Sequence, residues 1–287
     1  MNYSIILYIV GKVMMLEAAC FLIPAVTSII YGEHEGFAYL TVGVAAAGIG
    51  YLISSKKKFE HVFFAREGFV MVALSWIVLS VVGAIPFVVT GEIPNMIDAL
   101  FETVSGFTTT GASILEDVES LSHTSLIWRS FTHWVGGMGV IVLLLAILPM
   151  AGGYNMHLMK AESPGPVVGK LVPRLRDTAK ILYLIYLLMT VIEFVILVII
   201  KMPVFDALCI TFGTAGTGGF GIKADSIGSY SYAIQVVVTI FMILFGVNFN
   251  AYFVLLGKHK KEAFKIEEVR WYFGIILAAI LIITVNI

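Results

Sequence analysis

The sequence predicts an all-α membrane protein in which a helical hairpin is followed by repeats, each combining two membrane spans with a half-membrane helix. Composition is the first reason, because 59% of the 287 residues are hydrophobic and only 13% are charged, which is typical of a chain surrounded by lipid. The second is the presence of apolar stretches of roughly 20 residues, enough to cross a hydrocarbon core of about 30 Å. The third is a short Thr/Gly-containing unit that occurs twice.

The predicted spans lie at about 3–30, 37–54, 68–90, 127–150, 180–201, 232–257 and 271–287. The first stretch is long, contains Lys12 and Glu17, and has no clear small-residue cleavage site. It is therefore interpreted as a helix rather than a signal peptide. The first two spans form the hairpin.

Basic residues occur in three alternate loops, and acidic residues concentrate between the third and fourth spans. Because positively charged loops stay in the cytoplasm, this pattern predicts a multi-pass protein with a cytoplasmic N-terminus. The net charge of −1 excludes a strongly basic protein that binds nucleic acid. The basic loop residues are Lys56, Lys57, Lys58, Arg66, Lys160, Lys170, Arg174, Arg176, Lys180, Lys258, Lys260, Lys261, Lys265 and Arg270.

The segments between spans three and four and between spans five and six are related by a constant shift of 108 residues. Without a gap, this shift aligns Asp98-Ala99-Leu100 with Asp206-Ala207-Leu208, Thr103 with Thr211, Thr109 with Thr217, and Gly111 with Gly219. Such agreement indicates duplicated units. Each unit begins with a short predicted helix, about 94–105 and 203–213, of roughly 11 residues or about 16 Å, which is half a bilayer.

Non-helical backbone at membrane depth is stable only where it is buried in protein or lines an aqueous cavity, so the segments after the short helices are predicted to line a pore. Neither segment has a charged side chain. Their polar groups are backbone carbonyls and threonine hydroxyls, which replace the hydration shell of a monovalent cation in a selectivity filter. The candidate ion-binding residues are Thr108, Thr109, Thr110, Gly111, Ala112, Thr217, Gly218, Gly219 and Phe220.

The chain resembles the Trk, Ktr and HKT superfamily of potassium transporters, and TrkH-type membrane subunits in particular. The resemblance rests on the runs 105–113 (SGFTTTGAS), 217–220 (TGGF), 161–166 (AESPGP), 170–175 (KLVPRL) and 178–180 (TAK). It implies a hairpin followed by membrane-pore-membrane (M1-P-M2) repeats, with half-membrane pore helices and extended selectivity-filter segments, around one pore of pseudo-fourfold symmetry. It also implies that filter carbonyls bind K⁺, here at Thr109, Thr110, Gly111, Gly218 and Gly219.

The same resemblance implies potassium uptake by a homodimer in the bacterial or archaeal cell inner membrane. A cytosolic nucleotide-binding RCK/TrkA-type regulatory subunit would control it, K⁺ would be the transported ion, and no organic cofactor is expected in this chain. Relatives with serine at the first filter glycine lean toward sodium, so Gly111 implies a preference for potassium.

The predicted division of the chain is the hairpin at 1–65, the first repeat with its cytoplasmic loop at 66–178, the second repeat at 179–265, and the opening helix of a third repeat at 266–287. A central ring needs four filter segments, and the sequence contains two. We therefore expect a truncated reading frame or fragment, an incomplete pore by itself, rather than a native half-transporter that completes its ring as a dimer.

Polar residues inside the spans have several expected roles. Glu102 is expected to hydrogen-bond a neighbouring loop rather than to concentrate cations. Glu17 has no assigned role, and whether Glu193 pairs with a residue outside this sequence is left open. Asp98 and Asp206 are expected to cap the short helices. The run 136–139 (GGMG) is expected to pack against another helix. Histidines, including His123 and His133, are expected at membrane interfaces, and the tryptophans in an aromatic belt or between helices.

Two functional hypotheses follow. The first is the ion-translocating subunit of a potassium uptake system, and the alternative is a non-conducting half-subunit that assembles with or regulates another transporter. An enzyme is not expected, because the sequence has no Ser/His/Asp constellation, no His-Glu-x-x-His motif and no paired intramembrane aspartates.

Overall fold

The structure is a computed structural model that describes residues 3–55, 65–139, 175–257 and 260–286. Within these ranges every regular element is helical. Part of the predicted cytoplasmic loops falls outside the described residues. This part includes Lys56, Lys57, Lys58, His61, His157, Lys160, the run 161–166, Lys170, Arg174, Lys258 and His259.

The hairpin consists of α1 (Tyr3–Cys20), α2 (Leu22–Tyr31) and α3 (Gly36–Ser55). The first predicted span is interrupted between α1 and α2, because the ring of Pro24 crowds the carbonyl of Cys20 and offers no N–H to it. α1 crosses α3 at Gly11 and Gly50. A Cβ atom on either glycine would lie 2.6 Å from the carbonyl oxygen of the other, so the two backbones are in direct contact.

The first repeat contains α4 (Ala65–Thr90), α5 (Met96–Phe107) and α6 (His123–Met138). The second contains α7 (Leu175–Ile199), α8 (Val204–Ala215), α9 (Tyr232–Phe245) and α10 (Phe249–Leu256), and it is followed by α11 (Lys260–Ala263) and α12 (Glu267–Asn286). The short helices α5 and α8 both have 12 residues and begin 108 residues apart. The predicted pair of half-membrane helices is therefore confirmed.

In the described part of the chain, five helices are long and apolar enough to cross a membrane, or six if a bent pair counts as one span. The bent pair corrects the sequence analysis, which predicted a single span at 232–257. Its two parts, α9 and α10, meet at an angle of 86°. The described part of the fourth predicted span, α6, begins at His123, and residues 140–150 lie outside the described ranges.

The bend between α9 and α10 is stabilised by side chains that bind the exposed backbone groups. Asn248 accepts a hydrogen bond from the amide of Asn250 (2.9 Å) and so caps the start of α10. The hydroxyl of Tyr252 donates to the carbonyl of Leu244 near the end of α9 (2.6 Å). Because a broken helix leaves amides and carbonyls without partners, these contacts allow the break within an apolar segment.

Trp128 of α6 joins the hairpin to the first repeat. Its side chain is fully buried, and its indole N–H donates to the carbonyl of Gly83 in α4 (3.0 Å). Its ring lies 4.5 Å from that of Phe21 and 6.2 Å from that of Phe107, measured between centroids. This tryptophan therefore packs between helices, the second of the two roles that its sequence position allowed.

The turn between α2 and α3 binds the start of α6 through Glu33. Its carboxylate accepts hydrogen bonds from the amides of His123 and Thr124, both at 2.9 Å, and from the Thr124 hydroxyl at 2.6 Å. The His123 ring nitrogen lies 2.8 Å from the same carboxylate. Burial raises the pKa of Glu33, but the hydrogen bonds from Thr124 and His123 outweigh burial, and the pKa is lowered from its ordinary value.

Candidate functional site

The two Thr/Gly segments that follow α5 and α8 have the same backbone conformation. Thr109 and Thr217 have φ angles of +55° and +56°, and Gly111 and Gly219 have φ angles of +76° and +69°. A positive φ is rare for a β-branched residue such as threonine. The 108-residue shift therefore relates the two segments in backbone geometry as well as in sequence.

The amides at the start of each segment bond back to the end of the preceding short helix. In the first segment the bonds are Thr109 to Gly106 and Thr110 to Ser105, both 2.9 Å, and in the second they are Thr217 to Thr214 (2.8 Å) and Gly218 to Gly213 (3.3 Å). All four acceptors are helix carbonyls. These amides are therefore occupied, and they hold both segments to the ends of their helices.

Unlike the amides, most carbonyl oxygens of the two segments take part in no hydrogen bond with a described residue. Within the described residues, no hydrogen bond is made to the carbonyl of any residue from Thr108 to Gly111, or of Thr217 or Gly218. Two other carbonyls are occupied: Ala112 accepts from the Ser105 hydroxyl (2.5 Å), and Gly219 accepts from the Ser226 hydroxyl (3.3 Å). The hydroxyls of Thr108 and Thr110 bond each other at 2.8 Å, so the free polar groups are mainly main-chain oxygens.

The two segments approach each other closely. A Cβ atom at Gly111 would overlap the carbonyl oxygen of Gly218, and a Cβ atom at Gly218 would lie 3.0 Å from the carbonyl oxygen of Thr109. Glycine at both positions is therefore required by the space between the segments. The arrangement brings carbonyls from two repeats into one small region.

Glu102 of α5 binds the end of the first segment. Its side chain is buried, and it accepts hydrogen bonds from the Ser113 hydroxyl and the Ile114 amide, both at 3.0 Å. It also forms an ion pair with Arg129 of α6, at 2.5 Å. The expected structural role of Glu102, a hydrogen bond to a neighbouring loop, is therefore confirmed.

Arg129 was not among the residues that the sequence analysis selected. Besides its bond to Glu102, it donates to the carbonyl of Gly221 (2.6 Å), and its guanidinium lies 3.2 Å from the ring centroid of Phe220. The signal in the sequence was an arginine within the predicted span 127–150, since an ionisable residue inside a membrane is a functional candidate by default.

His133 is not interfacial, so that expectation was wrong. It is fully buried behind the second segment, its ring stacks on Phe220 with centroids 4.4 Å apart, and a Cβ atom at Gly218 would overlap it. Among the described residues neither ring nitrogen has a hydrogen-bond partner. No residue spacing in the sequence indicates this position, which results from packing between the repeats. Phe220 thus contributes its side chain to the support of the segment.

The glycines at the end of α6 pack against both short helices. A Cβ atom at Gly136 would overlap the carbonyl of Phe107 at the end of α5. A Cβ atom at Gly137 would lie 3.0 Å from the carbonyl of Ala215 at the end of α8 and 2.5 Å from the Tyr186 hydroxyl. The expected packing role is confirmed, and the contacts hold the ends of α5 and α8, which lead into the two Thr/Gly segments, against α6.

The capping role expected of Asp98 and Asp206 is wrong. Both lie in the first turn of their helices, but the cap of α5 is the side chain of Asn95, which accepts from the Ile97 amide (2.9 Å). Asp206 instead accepts a hydrogen bond from the Tyr230 hydroxyl (2.8 Å). Asparagine is a good N-cap residue, and its position one residue before the helix makes the aspartate unnecessary there.

Glu17 and Glu193 are both buried, and the carboxylate of Glu17 has no hydrogen-bond partner among the described residues. Glu17 lies beside Gly83 of α4, where a Cβ atom would approach its carboxylate to 3.0 Å. Neither residue lies in the two segments. Among all the residues that the structure describes, no group of three or more His, Cys, Asp or Glu side chains could hold a metal ion.

The fold is that of a pore-loop membrane protein, in which short helices, each followed by a non-helical main-chain segment, lie between apolar helices long enough to span a membrane. The chain belongs to the TrkH family of cation transport proteins, because the sequence model of that family matches residues 40–283. The family is one of transporters, not of enzymes. Together with the apolar helices, membership makes this chain a multi-pass membrane protein.

Two curated relatives illustrate the similarity. The Trk system potassium uptake protein TrkH of Salmonella typhimurium is 39% identical over 292 residues, which cover 99% of this chain and 60% of that protein. The Trk system potassium uptake protein TrkG of Escherichia coli K12 is 33% identical over 287 residues, or 98% of this chain and 59% of that protein. The chain thus spans about 60% of the length of the TrkH relative.

The fold is also similar to a solved structure. The crystal structure of the potassium transporter TrkH from Vibrio parahaemolyticus matches with a TM-score of 0.83 and 31% sequence identity, over 98% of this chain and 58% of that chain. The described helices therefore have the architecture of that membrane protein.

Proposed function

We propose that this chain is the ion-translocating part of a Trk-type potassium uptake system, in which K⁺ passes a filter lined by main-chain carbonyls. The supporting observation is that the amides and the carbonyls of the two segments differ in their hydrogen bonding. The amides are bonded to the short helices, while carbonyls from Thr108 to Gly111 and at Thr217 and Gly218 have no described partner. K⁺ would be held at Thr109, Thr110, Gly111 and Gly218, and at Gly219 through the second lone pair of a carbonyl that also accepts from the Ser226 hydroxyl.

The electrostatics of the site favour a cation. α5 ends at Phe107 and α8 ends at Ala215, directly before the two segments, so each helix directs the negative end of its dipole toward them. The segments contain no carboxylate, which is the group expected in a pore for divalent cations. Dipoles and carbonyls without full charges suit a monovalent ion that must both enter and leave.

The resemblance in sequence extends the proposal to assembly. The two segments would form part of a ring, which further carbonyl-lined segments would complete. The basic loops support a cytoplasmic N-terminus in the cell inner membrane. They also provide a surface for a cytosolic nucleotide-binding RCK/TrkA-type regulatory subunit, and the complete transporter would be a homodimer.

Uptake of radioactive rubidium tests the function. The gene, with its natural flanking sequence, is expressed in bacteria that lack their own potassium uptake systems and have been starved of potassium. We expect uptake that potassium inhibits and that exceeds uptake by cells carrying an empty vector. Equal uptake in both cultures, with the protein present in the membrane, would exclude the proposed function.

A substitution in the filter tests the site. Gly111→Ser places a Cβ atom against the carbonyl of Gly218, so the carbonyl positions must change and sodium should compete with rubidium at lower concentrations. Gly48→Ser is the control, because no atom lies within 4 Å of a Cβ atom at Gly48. If the two variants show the same sodium inhibition as the wild type, the assignment of Gly111 to the filter is wrong.

A further inference from the structure

Glu102 and Arg129 form a buried ion pair directly behind the two filter segments. Their side chains have relative exposures of 0% and 2%, and the arginine Nε lies 2.5 Å from a carboxylate oxygen. In surroundings of low polarity, such a pair is stable only when its geometry is good and its remaining donors and acceptors are bonded. The described contacts meet this condition on both sides.

On the carboxylate side, the pair binds the end of the first segment. One oxygen of Glu102 accepts from the guanidinium and from the Ser113 hydroxyl, and the other accepts from the Ile114 amide. Ser113 and Ile114 directly follow the segment at Ala112. Displacement of the carboxylate would therefore release the point at which the first segment leaves the filter.

On the guanidinium side, the pair binds the end of the second segment. Arg129 donates to the carbonyl of Gly221 (2.6 Å) and covers the ring of Phe220 at 3.2 Å from its centroid. Arginine suits this position, because its planar group can donate in several directions and stack on an aromatic ring simultaneously. A lysine has the same charge but cannot make all three contacts.

The two anchored points are equivalent in the internal repeat. Gly221 corresponds to Ser113 by the 108-residue shift, yet the position corresponding to Glu102 is Ile210, and the positions near that corresponding to Arg129 are Val237 and Val238. The second repeat therefore has no ion pair of its own at these positions. One pair from the first repeat anchors both segments.

We propose that the Glu102–Arg129 pair is a positioning element that fixes the spacing of the two filter segments and thereby sets discrimination between potassium and sodium. The proposal rests on the proposed function. Neither residue belongs to the two segments proposed to bind the ion. Because the pair is neutral as a whole, it adds little field at the filter, whereas an unpaired Arg129 would repel cations.

The test compares variants of the full gene product by the sodium concentration that halves rubidium uptake. Arg129→Lys retains the charge but not the three contacts, and Ser113→Ala removes one hydroxyl from the carboxylate. We expect Arg129→Lys to lower the discrimination by about tenfold, the effect of losing a hydrogen bond to a charged group, and Ser113→Ala to lower it less. Thr41→Val, which removes an exposed hydroxyl from hairpin helix α3 outside both segments, is the control and should match the wild type.

A double variant that removes both charges separates the effect on filter geometry from the effect of an unpaired buried charge. Glu102→Gln leaves an unpaired buried arginine and should reduce uptake strongly, while Glu102→Gln combined with Arg129→Met removes both charges and should recover uptake but not discrimination. Size-exclusion profiles and thermal unfolding in detergent identify variants that do not fold, and only folded variants are compared. Wild-type discrimination in folded Arg129→Lys and Ser113→Ala would overturn the inference. Absence of rubidium uptake by the wild type would instead overturn the proposed function.

Discussion

Gly111 of the first segment lies so close to the carbonyl oxygen of Gly218 in the second that a Cβ atom at Gly111 would overlap it. The equivalent glycine of the second repeat, Gly219, has the same positive φ but a different environment. The nearest atom to a Cβ at Gly219 is the terminal methyl of Met242, at 3.6 Å. The two equivalent glycines therefore share a conformation but differ in the space around them.

This difference predicts an order of effects for alanine substitutions. Gly219→Ala introduces only backbone strain, roughly 1–2 kcal/mol for an L-residue in the left-handed region. Gly111→Ala adds an overlap with a main-chain oxygen, which cannot move without the second segment. We expect rubidium uptake to fall moderately in Gly219→Ala and to be nearly lost in Gly111→Ala, when both are measured at equal membrane levels.

Gly32→Ala is a useful control for backbone strain, since Gly32 has a φ of +70° and no atom within 4 Å of its Cβ position. It should affect thermal stability without changing the preference for potassium over sodium. Equal uptake by Gly111→Ala and Gly219→Ala would contradict the close contact between the segments.

The crossing of α1 and α3 predicts a second pair of variants. Gly50→Ala would place its Cβ atom 2.6 Å from the carbonyl oxygen of Gly11. Gly48 lies two residues earlier on the same helix, and a Cβ atom there has no atom within 4 Å. Overpacking of this kind destabilises by about 1–3 kcal/mol. Thermal unfolding in detergent should show a lower midpoint for Gly50→Ala and an unchanged or higher midpoint for Gly48→Ala. The reverse order would mean that the hairpin packs through another face.

The hydrogen bonds from His123 and Thr124 to the Glu33 carboxylate predict that stability depends on pH. Its folded-state pKa is lowered because hydrogen bonds from Thr124 and His123 outweigh the effect of burial. Its stabilising contribution is therefore complete above the unfolded value of about 4.3 and is lost as the pH falls through the folded value. Between neutral pH and roughly pH 3, the unfolding midpoint of the wild type should fall more than that of Glu33→Gln.

Glu35→Gln is the matched control for this experiment, since it removes the same charge from the same turn without removing the bonds to Thr124. It should retain the wild-type dependence on pH. If Glu33→Gln and the wild type lose stability in parallel, the carboxylate does not hold the start of α6.

The repeated unit was predictable from sequence because the two Thr/Gly segments follow their short helices at the same spacing and with the same positive φ angles. Thr109, Gly111 and their equivalents must occupy fixed places relative to the preceding helix, so their register is preserved without a gap and can be read directly. The half-length helices were predictable for the same reason. Their boundaries in the structure differ by only about two residues from those expected, as is usual for helix ends.

The partners of Arg129 and His133 were not predictable in the same way. Arg129 meets Glu102 only when α5 and α6 pack within the first repeat, and it meets Gly221 only after the two repeats pack together. Sequence spacing encodes neither contact. Gly246 and Asn248 are residues that often end or begin a helix, and they were the local indication of a bend. The apolar residues on both sides nevertheless led to the prediction of a single span. Its stabilisation by Tyr252 and Tyr272, which bond carbonyls at the end of α9, depends on tertiary contacts.

Direct observation of a bound ion tests the central claim most closely. The complete gene product would be crystallised in thallium or rubidium salts, and anomalous scattering would locate the ions. We expect anomalous peaks beside the carbonyls of Thr109 to Gly111 and of Gly218, weakened when sodium replaces potassium-like ions and absent in Gly111→Ala. Peaks found only elsewhere, with these carbonyls facing away from any shared aqueous path, would contradict the account.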